Sequence, residues 1–157
     1  MAPHDIPNVG RFSTFQDPTG AYVTAFNSST PGAAPEAGPP KGGEFCWEQL
    51  NTSAPDVAKA FYGKVFGWTT KDFSGGGGVT VFSSPTMDVA SMMAAPPGVP
   101  SHWLTYVLVG KLGEANAKVT ELGGKVLMAE IPVPGMGAFS VVQDPAGATI
   151  GLFEARM

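Results

Sequence analysis

The chain is poor in charge, in cysteine and in histidine. Asp, Glu, Lys and Arg make up 14% of its 157 residues, against a norm of about 25% in soluble domains. Lys and Arg number nine, never cluster, and leave a net charge of −4. That balance argues against a nucleic-acid partner. No apolar run approaches the ~18 residues that a membrane-spanning helix needs, so no membrane partner is expected. The N-terminus shows no basic region followed by an apolar stretch, and no signal peptide is read there. A single cysteine, Cys46, leaves no internal disulfide framework, and a reduced, cytoplasmic setting is expected. With only His4 and His102 present, no Ser-His-Asp or Cys-His arrangement has support, and no catalytic residue can be named. The glycine run at 75–78 is followed by neither Lys-Ser/Thr nor a helix, so it is no phosphate loop.

Glycine (21) and proline (15) are in excess, which favours many short strands and turns. The strongest signal is a repeat. Residues 10–26, GRFSTFQDPTGAYVTAF, return without a gap as residues 137–153, GAFSVVQDPAGATIGLF. Gly10, Phe12, Ser13, Gln16, Asp17, Pro18, Gly20, Ala21 and Phe26 match Gly137, Phe139, Ser140, Gln143, Asp144, Pro145, Gly147, Ala148 and Phe153. Each copy reads as strand, turn, strand. In Asp-Pro-x-Gly the Asp caps the turn, Pro presets φ at the second position and Gly fits the fourth. Asp17 and Asp144 are therefore read as turn formers.

Residues 1–26 are read as a β-hairpin region and residues 27–42, rich in Pro, Gly, Ala and Ser, as a linker. Residues 43–51 alternate as a strand, with Phe45, Trp47 and Gln49 on one face and Cys46, Glu48 and Leu50 on the other. Thr52-Ser53 is the expected cap of a helix with Pro55 in its first turn. Val57, Phe61 and Val65 form its apolar stripe, widened by Ala58 and Tyr62, and Gly67 ends it. Strands are expected at 68–73, 79–83 and 88–94. After the break at 96–100 the order repeats: strand 103–109, helix 111–122, strands 125–128, 137–143 and 148–153. The expected fold class is α+β, with two tandem βαβββ units (43–95 and 101–157) in one domain and the hairpin as the tail of a further unit.

That order, with FYGKVFGW closing the first helix, ELGGKV the second and DPAGATIGLF near the chain end, resembles the vicinal oxygen chelate superfamily. This is the group of glyoxalase I, bleomycin-resistance proteins and extradiol dioxygenases. The resemblance implies a curled, cup-like mixed sheet with helices outside. It covers residues 43–157, and residues 1–26 resemble the end of a preceding domain of the same type. It also implies metal ligands drawn from His, Gln or Glu on the first and last strands of each unit. The corresponding positions here hold Trp47, Leu104, Gly151 and one residue within 88–94. Trp, Leu and Gly offer no side-chain lone pair, whereas a catalytic site needs about three ligands. No metal or cofactor is expected at these positions. A relocated set of His102, Gln49 and Asp88 is the alternative.

Three functions stay open. The first is a small-molecule binder, with Trp47, Met92, Leu104 and Phe153 as the apolar wall of the cup and Gln49 and His102 as its polar contacts. The second is a metal-dependent lyase, isomerase or dioxygenase, and the third a non-catalytic protein that associates with itself. Trp47 and Trp103 also suit plain core packing, Cys46 a small buried hydrophobe, and Met87, Met92 and Met93 space filling. Two strands cut from their own unit are marginal alone. The hairpin is therefore expected to pair with an open sheet edge on another copy, giving a homodimer.

Overall fold

A computed structural model describes residues 2–30 and 38–156; residues 31–37, the middle of the expected linker, lie outside the described residues. The chain order is β1 (His4–Ile6), β2 (Gly10–Gln16), β3 (Tyr22–Ser28), β4 (Phe45–Thr52), α1 (Pro55–Phe66), β5 (Thr69–Asp72), β6 (Thr80–Ser83), β7 (Asp88–Ala94), β8 (His102–Leu108), α2 (Leu112–Glu121), β9 (Lys125–Val133), β10 (Gly137–Gln143) and β11 (Thr149–Ala155). Strands β4 to β11 form one curled, unclosed mixed sheet in the order β5-β6-β7-β4-β8-β11-β10-β9. Its centre is the antiparallel pair β4–β8. Each of these strands pairs in parallel on its outer side with the last strand of its own βαβββ unit, β7 or β11. Both helices lie on the convex side.

The helix ends follow the sequence only in part. Gly67 adopts φ 70°, and its N–H returns to the Gly63 carbonyl at 3.0 Å, the left-handed C-terminal stop that glycine permits. The N-terminal residue is Ala54, with no side-chain cap. Thr52 is the last residue of β4, and its hydroxyl accepts the Ala54 N–H, while the Ser53 N–H goes to Ser101 Oγ. The apolar stripe is also rotated. Ala58 and Tyr62 are buried, whereas Val57 and Val65 stay about half exposed. Periodicity alone could not choose between two overlapping stripes; the aromatic neighbours of Tyr62 did. Its ring meets Phe61, Phe66, Trp68, Phe82 and Trp103 at centroid distances of 5.2 to 6.0 Å. Two cores result. One gathers Leu50, Ala58, Tyr62, Phe82, Ala90, Met92 and Ala21 under α1, and the other gathers Leu112, Val142 and Leu152 under α2.

β9 runs five residues beyond the expected stretch, through Pro132. Proline is tolerated because β9 is the outer strand and its free side needs no ladder hydrogen bond. Register shifts opposite Phe139–Val142 absorb the irregularity, and Glu130 sits at φ 51°.

The hairpin does not extend the large sheet. It gains a strand that the sequence reading missed, β1, and forms a separate sheet β1-β2-β3. This sheet reproduces β9-β10-β11 register for register. Phe12 faces Phe26 and His4 as Phe139 faces Phe153 and Ile131. Gly10 and Gly137 occupy matching sites with φ of 155° and 146°, and in each a Cβ would strike the carbonyl oxygen of the opposite strand, Asn27 or Glu154. The small sheet docks on α1 of its own chain. Phe15 lies 6.1 Å from Phe61 and 6.4 Å from Phe66, and Ala21 and Val23 join the α1 core.

Candidate functional site

Strand pairing decides which side chains share the concave face. Directly paired residues stand on the same side of a sheet. Trp47, Gln49 and Asn51 pair with Tyr106, Leu104 and His102, and Gln49 pairs with Ser91. Gly151 pairs with Tyr106 and with Val141, and Phe153 with Phe139. The intervening residues Leu50, Met92 and Trp103 point the other way, into the α1 core. The concave face therefore carries five of the six expected site residues: Trp47, Gln49, His102, Leu104 and Phe153. Met92 does not belong with them. It pairs with Leu50 and is only 1% exposed beneath α1, because strand alternation assigns the concave side to Ser91 and Met93 instead.

The polar residues of this face form one connected line. The Trp47 indole N–H donates to Ser91 Oγ at 2.9 Å, and the Ser91 hydroxyl donates to Gln49 Oε1 at 3.4 Å. Tyr106 donates to the same oxygen at 3.4 Å. Gln49 Nε2 donates to Asn51 Oδ1 at 2.9 Å, and Asn51 Nδ2 lies 3.4 Å from His102 Nε2. His102 Nδ1 lies 2.8 Å from the Pro100 carbonyl. A carbonyl only accepts, so Nδ1 carries the proton and Nε2 accepts from Asn51. Burial pushes the Tyr106 hydroxyl up to about 12 and also raises the half-buried Cys46 thiol, whose Sγ reaches the Tyr106 carbonyl. None of these concave side chains brings a formal charge.

Asn51, Ser91, Tyr106 and Phe139 were missed in the sequence. Asn51 and Tyr106 follow by two-residue alternation from Gln49 and Leu104, whereas Ser91 and Phe139 arrive from other strands, where only register places them.

The donor set does not fit a metal at the inherited positions. Trp47, Leu104 and Gly151 have no ligating atom, and the Tyr106 ring covers Gly151 so closely that a Cβ there would overlap it. Edge-on contact with Phe139, at 5.7 Å and 85°, pins the ring in place. The relocated set fails as well. Asp88 is ion-paired with Lys71 at 2.8 Å and accepts from Ser83 at 2.7 Å, contacts that hold its carboxyl below its ordinary range. It begins β7, five residues before Met93, which pairs with Asn51 beside His102; at ~3.3 Å per residue that separates the two groups by about 16 Å along the strand. Among the described residues, no three of His, Cys, Asp and Glu converge as metal ligands.

Two open grooves lie elsewhere. One, of about 500 Å³, sits at the start of α2 between Leu112, Glu130, Pro132 and Glu154; the other, of about 320 Å³, occupies the matching place on the small sheet. Glu154 is committed there to the Leu112 N–H at 2.7 Å. Among the described residues, no helix is long and apolar enough to cross a membrane.

Comparison with known proteins agrees with this layout. CFP32 of Mycobacterium tuberculosis (strain CDC 1551 / Oshkosh), provisionally named a glyoxylase, is 33% identical over 157 residues, covering 98% of this chain and 59% of CFP32. The anthracycline biosynthesis protein DnrV of Streptomyces peucetius is 32% identical over 131 residues, covering 71% of this chain and 47% of DnrV. The chain thus spans about half the length of these curated relatives. The solved Mn(II)-bound glyoxalase from Novosphingobium aromaticivorans aligns over 98% of this chain and 52% of its own, with TM-score 0.58 and 17% identity, a likeness of fold. The profile of the Glyoxalase/Bleomycin resistance protein/Dioxygenase superfamily matches residues 47–152, from the first concave residue of β4 to the middle of β11, and the chain belongs to that superfamily.

Proposed function

We propose that the concave face binds an uncharged, apolar or aromatic small molecule without using a metal at the inherited positions. The observation that carries this reading is the replacement at Gly151, where the Tyr106 ring lies in the space a ligating side chain would need. Trp47, Phe139 and Phe153, each partly exposed, supply flat apolar surface, and Leu104 and Tyr106, buried beneath them, back it. Gln49, Asn51 and His102 supply neutral donors and acceptors along one edge. A mostly apolar wall with a few placed polar groups is the usual composition of a ligand site, and the neutrality of the line from Trp47 to His102 favours a neutral ligand, since Lys71, placed by register on the same face at the β5 edge, is held by Asp88. The name of DnrV, from anthracycline biosynthesis, agrees with small-molecule chemistry.

The test is a thermal-shift and tryptophan-fluorescence screen with planar aromatic compounds, run in parallel with Mn²⁺, Zn²⁺ and Ni²⁺. A bound compound raises Tm by mass action, quenches fluorescence, and loses both effects in Trp47→Ala. Stoichiometric metal found by elemental analysis and lost in His102→Ala would overturn the reading.

A further inference from the structure

The hydrogen bonds of the concave line all run one way. Trp47 Nε1–H donates to Ser91 Oγ, the Ser91 hydroxyl to Gln49 Oε1 and Gln49 Nε2–H to Asn51 Oδ1. Asn51 Nδ2–H then donates to His102 Nε2, and His102 Nδ1–H to the Pro100 carbonyl. This order decides what each partly exposed member, Trp47, Gln49 and His102, has left for a ligand. Trp47 has one N–H, and Ser91 takes it. His102 has two ring nitrogens, and Asn51 and Pro100 take both. Gln49 Oε1 has two lone pairs, and Ser91 and Tyr106 fill them. Gln49 Nε2 has two hydrogens, of which Asn51 Oδ1 takes one at 2.9 Å. Asn51, Ser91 and Tyr106 keep spare valences but are buried, at 7%, 6% and 4% exposure. Among the described residues, the accessible part of the line therefore offers one free N–H and no free acceptor.

That N–H stands beside flat apolar surface. Ser91 Oγ touches both the Trp47 indole nitrogen and Gln49 Oε1, so ring and amide are neighbours, and Leu104 pairs with Gln49 across the strands. A ring system laid against Trp47 carries an in-plane substituent toward Gln49. A bare hydrocarbon in the same place strips water from the free hydrogen and returns nothing. Leaving a donor unsatisfied costs more than a made bond gains.

We infer that Gln49 Nε2–H sets the chemical class of the ligand: the concave face takes neutral aryl ketones and related ring carbonyl compounds in preference to hydrocarbons and alcohols. This rests on the reading of the face as a site for an apolar or aromatic molecule. A carbonyl oxygen only accepts, and so matches the one free donor. An alcohol also accepts, but its own O–H then needs an acceptor that the accessible line lacks.

The test compares fluorenone with fluorene, which lacks the oxygen, and fluorenol, whose oxygen carries a hydrogen. Quenching of tryptophan fluorescence gives each Kd, and the ketone is expected to bind about tenfold more tightly than either. Infrared spectra of the unaltered complex give a readout independent of any variant: the bound carbonyl stretch falls below its position in an apolar solvent. Gln49→Glu keeps an acceptor for Ser91 and Tyr106 but loses the donor, and the ratio of fluorene to fluorenone Kd drops toward one. Four results overturn the inference and leave the apolar site standing: fluorene binding as tightly as fluorenone, fluorenol binding more tightly, an unshifted carbonyl band, or a preference that survives Gln49→Glu. Failure of all three compounds to bind overturns the apolar site itself, and the inference with it.

Discussion

Tyr62 donates its hydroxyl to Asp17 at 2.8 Å and accepts the indole N–H of Trp103 at 3.0 Å. One phenol thus ties the small sheet to α1 and to β8. Asp17 and Asp144 make the same turn: each takes the amide four residues on, and each is flanked by a Gln that bonds the turn glycine. Only Asp17 is buried, at 4% exposure, because its second oxygen faces Tyr62. Asp17→Ala is expected to cost about 2–4 kcal/mol, because the Thr19 and Ala21 amides lose their turn acceptor and the buried Tyr62 hydroxyl loses its own. Asp144→Ala should cost about 1 kcal/mol. Equal losses in urea unfolding would mean that the small sheet does not dock through this contact.

The Tyr106–Gly151 contact makes a second prediction. Gly151→Ala puts a methyl group into the ring and should destabilise by about 1–3 kcal/mol, the usual cost of overpacking. Pairing it with Tyr106→Ala removes the clash, so the double variant should be more stable than the two single losses combined would allow. Strict additivity in a double-mutant cycle would show that the ring does not occupy that space.

Alkaline pH offers a third. Tyr106 is raised to about 12 by burial, while an unfolded tyrosine titrates near 10. A hydroxyl kept neutral in the fold stabilises fully below pH ~10, and the contribution fades as pH rises from about 10 to about 12. The span corresponds to roughly 2–3 kcal/mol. Tyr62 is raised as well, first by burial and then by its bond to Asp17. Unfolding by base should begin near pH 10, and Tyr106→Phe should move its midpoint upward. An unmoved midpoint would contradict the buried placement.

Helix α1 provides a fourth. Val57 and Val65 read as core in the sequence but are about half exposed. Val65→Lys should therefore change stability by no more than about 0.5 kcal/mol. Ala58→Leu, which adds bulk at a fully buried site, should cost about 1–3 kcal/mol. Comparable losses in thermal melts would restore the stripe read from sequence.

Local chemistry was legible wherever few residues decide it. Asp-Pro-x-Gly specified both turns, Gly67 stopped α1, and β7 and β10 run over the stretches expected as strands. β1 was not legible, since three exposed residues leave no pattern and only β2 holds them. Met92 was assigned to the wrong face because the phase of β7 depends on its pairing with Leu50, a contact between distant segments. Ser91 and Phe139 went unnoticed for the same reason, since register alone places them, whereas Asn51 and Tyr106 were within reach of two-residue alternation from Gln49 and Leu104.

The amino-acid order by itself determined the repeat, the family and every element but β1 and the far half of β9, because turn geometry, strand alternation and helix stops act over a handful of neighbouring residues. Folding in three dimensions decided the rest. Which strand face turns inward, whether a ring fills the space beside Gly151, and which aspartate of two identical turns is buried depend on register between strands far apart in the chain. No local stretch carries that information.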